Sequence, residues 1–480
     1  MLIVGAYADQ FPKSTNEVPL EALHRALNRI GTNFALHILP IWDSDGDGGF
    51  AVNSWYDIDK SLGSLENLRF IAEDYQVYID GIFNHVSWRH PILKKFVANP
   101  DANSSLIHAV KSKNTPLAPL APRGGSMYQE HLIDCETWQI WQTFGRQSVD
   151  INLSNPAVFS EVCEVLNWVK EIGVFGVRLD ALAYYGKNSE NKPVHNLDGI
   201  EIAKNIIFEA TNNKLKTMLQ IDFDKNTNLY SDDYGTNPII VDYAYSAHYI
   251  KAIFGGSAKN LAKHLNSTNS TAEFDVVRPL RTHDGVLFRS KNLTINERQE
   301  IEQALDARGF QKRITNETLY ENNNSLPHLL SFDASANDYY RKVVGALLIS
   351  EMTAPFSYIY IGSLFGDYPE RTDEFTEDPR ALQRRKLDDE ALTDERFELV
   401  RNAIAKVTRF GSGDPPRYIC NAEEDKILKV VRLDQPITLF VNLSAETLEI
   451  GPQAGVNLSS GYFDGKLEKY GYVLVKHERE

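Results

Sequence analysis

The stretch "PAVFSEVCEVLNWVKEIGVFGVRLDA", residues 156–181, decides the fold. Its first part, through Ile172, reads as an amphipathic helix, and "GVFGVRLDA" reads as a short apolar strand that ends on polar residues. Side chains alternate along a strand, so Arg178 and Asp180 share a face and a guanidinium sits beside a carboxylate. That neighbour is expected to hold Asp180 ionised and oriented, as a nucleophile requires. A structural Arg-Asp pair is the other reading of the motif.

Outward from this unit, the same alternation repeats. "LIVGAY", "FALHILP", "QVYIDGIFN", "TMLQIDF", "IIVDYAY", "FDVVRPLRTHD" and "FSYIYIG" complete a set of eight candidate strands, with amphipathic segments such as "LENLRFIAED" between several of them. Strands alternating with helices imply parallel pairing with right-handed crossovers, so the expected fold is α/β, a (β/α)8 TIM barrel. Polar residues gather at the strand ends: Tyr7 and Asp9, Asn84 and His85, Arg178 and Asp180, Asp222, His283 and Asp284. In such barrels the C-terminal strand ends and the loops after them hold the chemistry.

Two connections exceed what a simple barrel needs. Residues 86–138, rich in Asn, Pro and Gly, read as an insertion after the third strand, and 286–335 as one after the seventh, both overhanging the barrel mouth. The barrel is assigned to 1–85, 139–285 and 336–416. Beyond a Gly/Pro linker at 411–416, residues 417–480 alternate apolar and polar positions, the pattern of a small C-terminal antiparallel β domain.

With 480 residues, 42% of them hydrophobic, the chain can bury a large core. Its 50 basic against 65 acidic residues give a net charge of -15, which offers no electrostatic footprint for nucleic acid or an anionic membrane. The start "MLIVGAYADQFPKSTNEV" lacks the features of a secretory signal, and no apolar run reaches the ~20 residues of a membrane helix, so a cytoplasmic protein is expected. Cys135, Cys163 and Cys420 lack metal or redox spacing and are expected to be packing residues.

The loop "LPIWDSDGDGGF", residues 39–50, spells half of a calcium-binding EF-hand. An EF-hand also needs a bidentate Glu at loop position 12, which here is Ser54, so that reading is rejected. No metal site is assigned, although a looser cation site among Asp43, Asp45 and Asp47 stays open beside a solvated acidic turn. The glycines would let backbone approach a ligand closely.

"IDGIFNHVSW" places Asp80, Asn84 and His85 at one strand end, and "RTHDG" places His283 and Asp284 at another. Together with "GVRLDA" their order, N-H, then R-x-D, then H-D, resembles the α-amylase clan of glycoside hydrolases and transglycosylases, and within it looks most like sucrose phosphorylase and its relatives. "HILP", the "DGGF" loop, "LGS", "THDG" and "YIGSLFG" also fall in that family's order, over most of the chain. The resemblance implies a retaining mechanism in which Asp180 attacks the anomeric carbon and Asp284 stabilises the transition state. Asp47, His85, Arg178 and His283 would line the glucosyl subsite.

Where the family carries Glu in a fifth-strand pattern like L-I-E-V-H, this chain reads "LQIDFD", residues 219–224. Asp222 is placed at the acid position, with Asp224 as the alternative, since Gln220, Asp222 and Asp224 share a face by period two. Either choice shortens the side chain by one methylene, and retaining carboxyls stand ~5–5.5 Å apart. Use of phosphate requires cationic groups near the intermediate. Arg123 in "APRGG" and Arg380 in "PRALQRR" resemble family segments and are the candidates, whereas Arg384 and Arg385 read as surface residues. Tyr7, Phe50, Phe144 and Tyr184 could stack on sugar faces or simply pack in the core.

The expected activity is α-glucosyl transfer, phosphorolysis of sucrose or a related glucoside to glucose 1-phosphate. Hydrolysis of α-glucosides uses the same core and differs in the acceptor. A sugar-binding relative that has lost its acid is the reading from another class. No organic cofactor is implied, the expected partners are a sugar and inorganic phosphate, and the chain is expected to be a monomer or homodimer.

Overall fold

In a computed structural model, the chain is described over residues 1–111, 126–187, 194–222, 227–230, 235, 237–270, 274–288, 293–310, 313–315, 318–331, 336–366, 386–387, 392–408 and 415–478. Eight parallel strands close a barrel in chain order: β1 (Leu2–Ala6), β2 (Ala35–Ile38), β3 (Val77–Gly81), β4 (Gly176–Leu179), β5 (Lys216–Asp222), β6 (Ile239–Val241), β7 (Asp275–Arg281) and β8 (Phe356–Tyr360). These coincide with the eight runs expected from the sequence. The helices between them include α1 (Pro19–Ile30), α2 (Leu65–Asp74), α3 (Pro156–Glu171), α4 (Leu197–Asn212), α5 (Tyr243–Gly255), α6 (Lys259–Ser267), α7 (Ala336–Thr353) and α8 (Asp394–Thr408).

Strand alternation sorts the core into two layers. Leu2, Val4, Leu36, Val77, Val177, Leu219 and Ile240 pack outward against the helices. Ile3, Ala35, Tyr78, Met218, Ile239, Val277 and Tyr358 fill the interior. Gly5 makes room for one interior ring: a Cβ there would lie 1.8 Å from the Tyr358 hydroxyl. Local signals start the helices where the strands stop. Asn155 caps α3 by accepting from the Ala157 amide, with Pro156 at the first helical position.

Between β3 and α3 the chain builds a short helix, Pro91–Ala98, and a sheet of Ala109–Lys111, Tyr128–Ile133 and Glu136–Trp141. After β7 it adds the helix Ile295–Ala307 and a sheet of Val286–Leu287, Thr318–Asn322 and Arg313–Thr315. The C-terminal antiparallel sheet is built on Tyr418–Glu423, Ile427–Arg432, Ile437–Asn442 and Lys466–Lys476. One buried tie to the barrel is Arg278 of β7, which donates to the Tyr418 hydroxyl at 3.1 Å and to the Thr268 and Thr353 carbonyls, and lies 3.3 Å from Asp242. Next to it, Asn266 and the Cys420 backbone exchange two hydrogen bonds of 2.8 Å. Cys420 is buried, but Cys135 is exposed at a turn and Cys163 half-buried, so the expected packing role does not extend to Cys135. Among the described residues no helix is long and apolar enough to cross a membrane.

Candidate active site

The C-terminal strand ends deliver a buried charge relay. On the inner face of β4, Arg178 Nη1 donates to Asp80 Oδ1 of β3 at 2.5 Å and to Asp180 Oδ1 at 3.0 Å. Asp80 is also 3.3 Å from His37 Nε2 of β2, whose Nδ1 stands 3.0 Å from the Tyr358 hydroxyl of β8. Four strands thus fix one guanidinium and one carboxylate below Asp180.

This arrangement overturns the expectation that Arg178 keeps Asp180 ionised. Burial pushes Asp180 up, and although Arg178 opposes it, the nearby charges of Asp80 and Asp284 push the same way, so its pKa is about 7. Asp80 takes the benefit instead. Burial raises it too, but Arg178 and His37 outweigh that and hold it at about 2. One cation faces three carboxylates, and the carboxylate at 2.5 Å captures most of it.

Asp180 and Asp284 are close enough to perturb one another, so the loop after β7 returns to the mouth of β4. His283 carries its Nε2 3.5 Å from Asp284 Oδ2. Its ring stacks on Phe50 at 5.6 Å and 13°, and meets Tyr7 edge-on at 6.1 Å and 86°. A small cavity inside the barrel, lined by Arg178, Met218, Val241, Tyr243, Val277, Thr282, His283 and Tyr358, reaches this cluster at Arg178 and His283. Arg178, Asp180, His283, Asp284, Phe50 and Tyr7, drawn from separate segments of the sequence, therefore meet in one place.

Beside it lies a second buried cluster. Asn84 Nδ2 donates to Asp150 Oδ2 at 2.9 Å and lies 3.3 Å from His85 Nδ1. Lys187 Nζ donates to Asn84 Oδ1 at 2.9 Å and pairs with Asp150 Oδ2 at 3.0 Å. Burial lowers the Lys187 pKa against the pull of Asp150. Burial raises Asp150, but Lys187, His85 and two bonds from Thr143 bring it below its usual value. His85 then packs on Phe144 at 4.8 Å, and Phe144 on Tyr184 at 5.3 Å. Sequence reading missed Asp150 and Lys187: neither lies at a barrel strand end, and only the pairing of His85–Ser87 with Ser148–Asp150 brings the acid under His85.

In the acidic loop Asp47 has φ 51° and its amide donates to Gln147 Oε1 at 3.1 Å. Asp45 is paired with Arg89, whose Nε lies 2.7 Å from Oδ2. Among the described residues no group of three or more His, Cys, Asp or Glu could hold a metal ion.

β5 departs most from expectation. Its pairing with β6 shifts between Leu219 and Asp222, which breaks the regular alternation expected through Asp224. The backbone of Asp222 pairs with Val241; its side chain, like Asp224, Arg123, Arg380, Arg384 and Arg385, lies outside the described residues. The register Met218 to Arg178 and Leu219 to Leu179 instead brings Gln220 level with Asp180. Gln220 Oε1 accepts a 2.6 Å hydrogen bond from the amide of Ala181, which is left-handed at φ 51°. The pattern L-I-E-V-H laid on Met218–Asp222 puts its Glu on Gln220, a signal that placement on Asp222 passed over.

The α-amylase catalytic domain model matches residues 26–222. Among curated proteins, the chain is 27% identical to a glucosylglycerate phosphorylase of Spirochaeta thermophila over 40% of its own length, and spans a third (33%) of that relative. It is 24% identical to the glucosylglycerate phosphorylase of Allomeiothermus silvanus over 97% of this chain and 89% of the relative. Among solved structures, sucrose 6F-phosphate phosphorylase from Thermoanaerobacter thermosaccharolyticum superposes with a TM-score of 0.78 at 18% identity, over 92% of this chain and 94% of that one, a likeness of fold.

Proposed function

We propose that this chain, whose residues 26–222 match the α-amylase catalytic domain model, transfers α-glucosyl groups with retention between a glucoside and inorganic phosphate. The observation that carries the reading is the meeting of Asp180 and Asp284 over Arg178 at the strand ends. Asp180, ionised, attacks the anomeric carbon and forms a covalent glucosyl ester as the leaving oxygen departs. Asp284 stabilises the positive charge that develops at that carbon, and phosphate then attacks from the vacated face to give the α-configured glucose 1-phosphate. Arg178 orients Asp180. His85, His283 and Asp47 hold sugar hydroxyls, while Phe50, Phe144, Tyr7 and Tyr184 supply apolar walls. Arg123 and Arg380 are the proposed phosphate ligands.

Incubation with α-glucosyl fluoride, followed by mass spectrometry of the quenched protein, tests this. The expected result is a glucosyl adduct on the peptide containing Asp180, absent in Asp180→Asn, and fluoride release that phosphate accelerates with formation of glucose 1-phosphate. Release of free glucose at a rate indifferent to phosphate assigns the chain to hydrolysis instead.

A further inference from the structure

A retaining pair of carboxyls stands ~5–5.5 Å apart, which is about one inter-strand spacing. The residue that must carry the second carboxyl is therefore the one level with Asp180 on the next strand, and the register of β4 and β5 makes that residue Gln220. Asp222 is two residues further along β5, roughly 6–7 Å toward the mouth at ordinary strand rise, beyond the shift that begins after Leu219.

The hydrogen bonding at Gln220 sharpens the point. A backbone N–H can only be met by an acceptor, so the 2.6 Å bond from Ala181 fixes the Gln220 oxygen on the β4 side. The other end of the side chain is then the NH₂ group. A glutamic acid in the same pose would accept from Ala181 with one oxygen and carry its proton on the other. The amide keeps the donor geometry and cannot give the proton away.

We propose that Gln220 occupies the proton donor's place, so that this enzyme works on glucosyl donors whose leaving oxygen departs as a stable anion. The class comprises glucosyl phosphates and glucosides of other acidic hydroxyls or carboxylic acids, and excludes glucosides of plain alcohols. The inference rests on the transfer reading above and narrows its substrate. In the first step the Asp180 carboxylate forms a bond to C1 while the C1–O bond breaks, and its electron pair leaves on phosphate, which needs no proton. In the second, an anionic oxygen, phosphate or carboxylate, forms the new bond to C1 and Asp180 departs as carboxylate. No proton is transferred at either step, and both directions balance. Gln220 is a positioning donor to the departing oxygen and, through Ala181, holds the turn that follows Asp180.

The test is a leaving-group series on the full chain: aryl α-glucosides from dinitrophenyl to unsubstituted phenyl, then methyl α-glucoside, with glucose 1-phosphate exchange against labelled phosphate. General acid catalysis contributes about 10²–10⁴-fold, so the wild type is expected to lose at least 100-fold in kcat/KM from dinitrophenyl to phenyl glucoside and to exchange phosphate readily. Gln220→Glu, a near-isosteric change, is expected to raise turnover of the poorest donors by about 100-fold and to flatten the series. A wild-type series flat to within tenfold overturns the proposal without recourse to any variant. So does an Asp222→Asn variant that loses only the alkyl and phenyl glucosides, since Asp222 would then be the acid. Persistence of glucosyl fluoride turnover in Asp180→Asn sinks the transfer reading itself; its loss together with a flat series sinks only the role given to Gln220.

Discussion

Arg178 lies closer to Asp80, at 2.5 Å, than to the carboxylate two residues along its own strand, at 3.0 Å. The nucleophile candidate is therefore left with a pKa near neutrality. Asp80→Asn removes the competing charge and is expected to move the acidic limb of the pH profile for α-glucosyl fluoride to lower pH. It also strips Arg178 of a fully buried partner, at a cost of about 3–5 kcal/mol. A lowered Tm with an unmoved profile would show that Asp80 does not set the ionisation of Asp180.

For the wild type, kcat/KM on glucosyl fluoride is expected to rise with pH through about 7, since only the Asp180 anion attacks and its acid is held at about 7. Asp284→Asn, by removing a repelling charge, shifts that rise downward while lowering its plateau. A rise centred near pH 4 in the wild type would contradict the electrostatics of the site.

The same shift is a stability statement. Burial pushes Asp180 up to about 7 in the folded chain from 3.8 for an ordinary aspartic acid, so the proton it holds favours the fold fully below about pH 4, and that contribution is lost as pH rises through 7. Asp180→Asn is therefore expected to raise Tm near pH 8, by the equivalent of a few kcal/mol, and to change it little near pH 4. Thermal melts across that range check it, and equal effects at both ends would reject the raised pKa.

Lys187 has only 3% of its side chain exposed and is tied to Asp150 and Asn84. Lys187→Met leaves Asp150 buried without its cation, with an expected loss of about 3–5 kcal/mol. The loss is greatest above the usual carboxylate range, where the orphaned Asp150 would be charged in the unfolded chain. Because Asn84 also touches His85, KM for the donor is expected to rise along with the fall in Tm. A variant of normal Tm and KM would mean that the cluster does not support the sugar subsite.

Gly5→Ala pushes a methyl group into the Tyr358 hydroxyl and is expected to destabilise by about 1–3 kcal/mol. Tyr358→Phe added to it removes the nearest atom and is expected to recover part of that loss, giving a coupling measurable in a double-mutant cycle.

The barrel was legible because each strand is a β-branched run with polar residues at one end, a signal that survives without any knowledge of register. "NHVSW", "VRLDA" and "THDG" stood out as candidate site segments because they supply those polar ends. What the sequence did not carry was how neighbouring strands align. Gln220 and Asp222 both sit in "LQIDFD", and only the pairing of Leu219 with Leu179, followed by the shift against β6, distinguishes which of them stands beside Asp180. The ionisation of Asp180 was misread because Asp80 and Arg178, 98 positions apart, are neighbours only across two strands.

Arg278 runs from the seventh strand to Tyr418, passing Asp242 and two carbonyl oxygens on the way, and every one of its polar contacts is sealed from solvent. Deleting the terminal sheet would open this guanidinium to water and uncover the apolar face beneath it. A barrel cut free of its sheet is therefore expected to be recovered as aggregate rather than as a smaller enzyme.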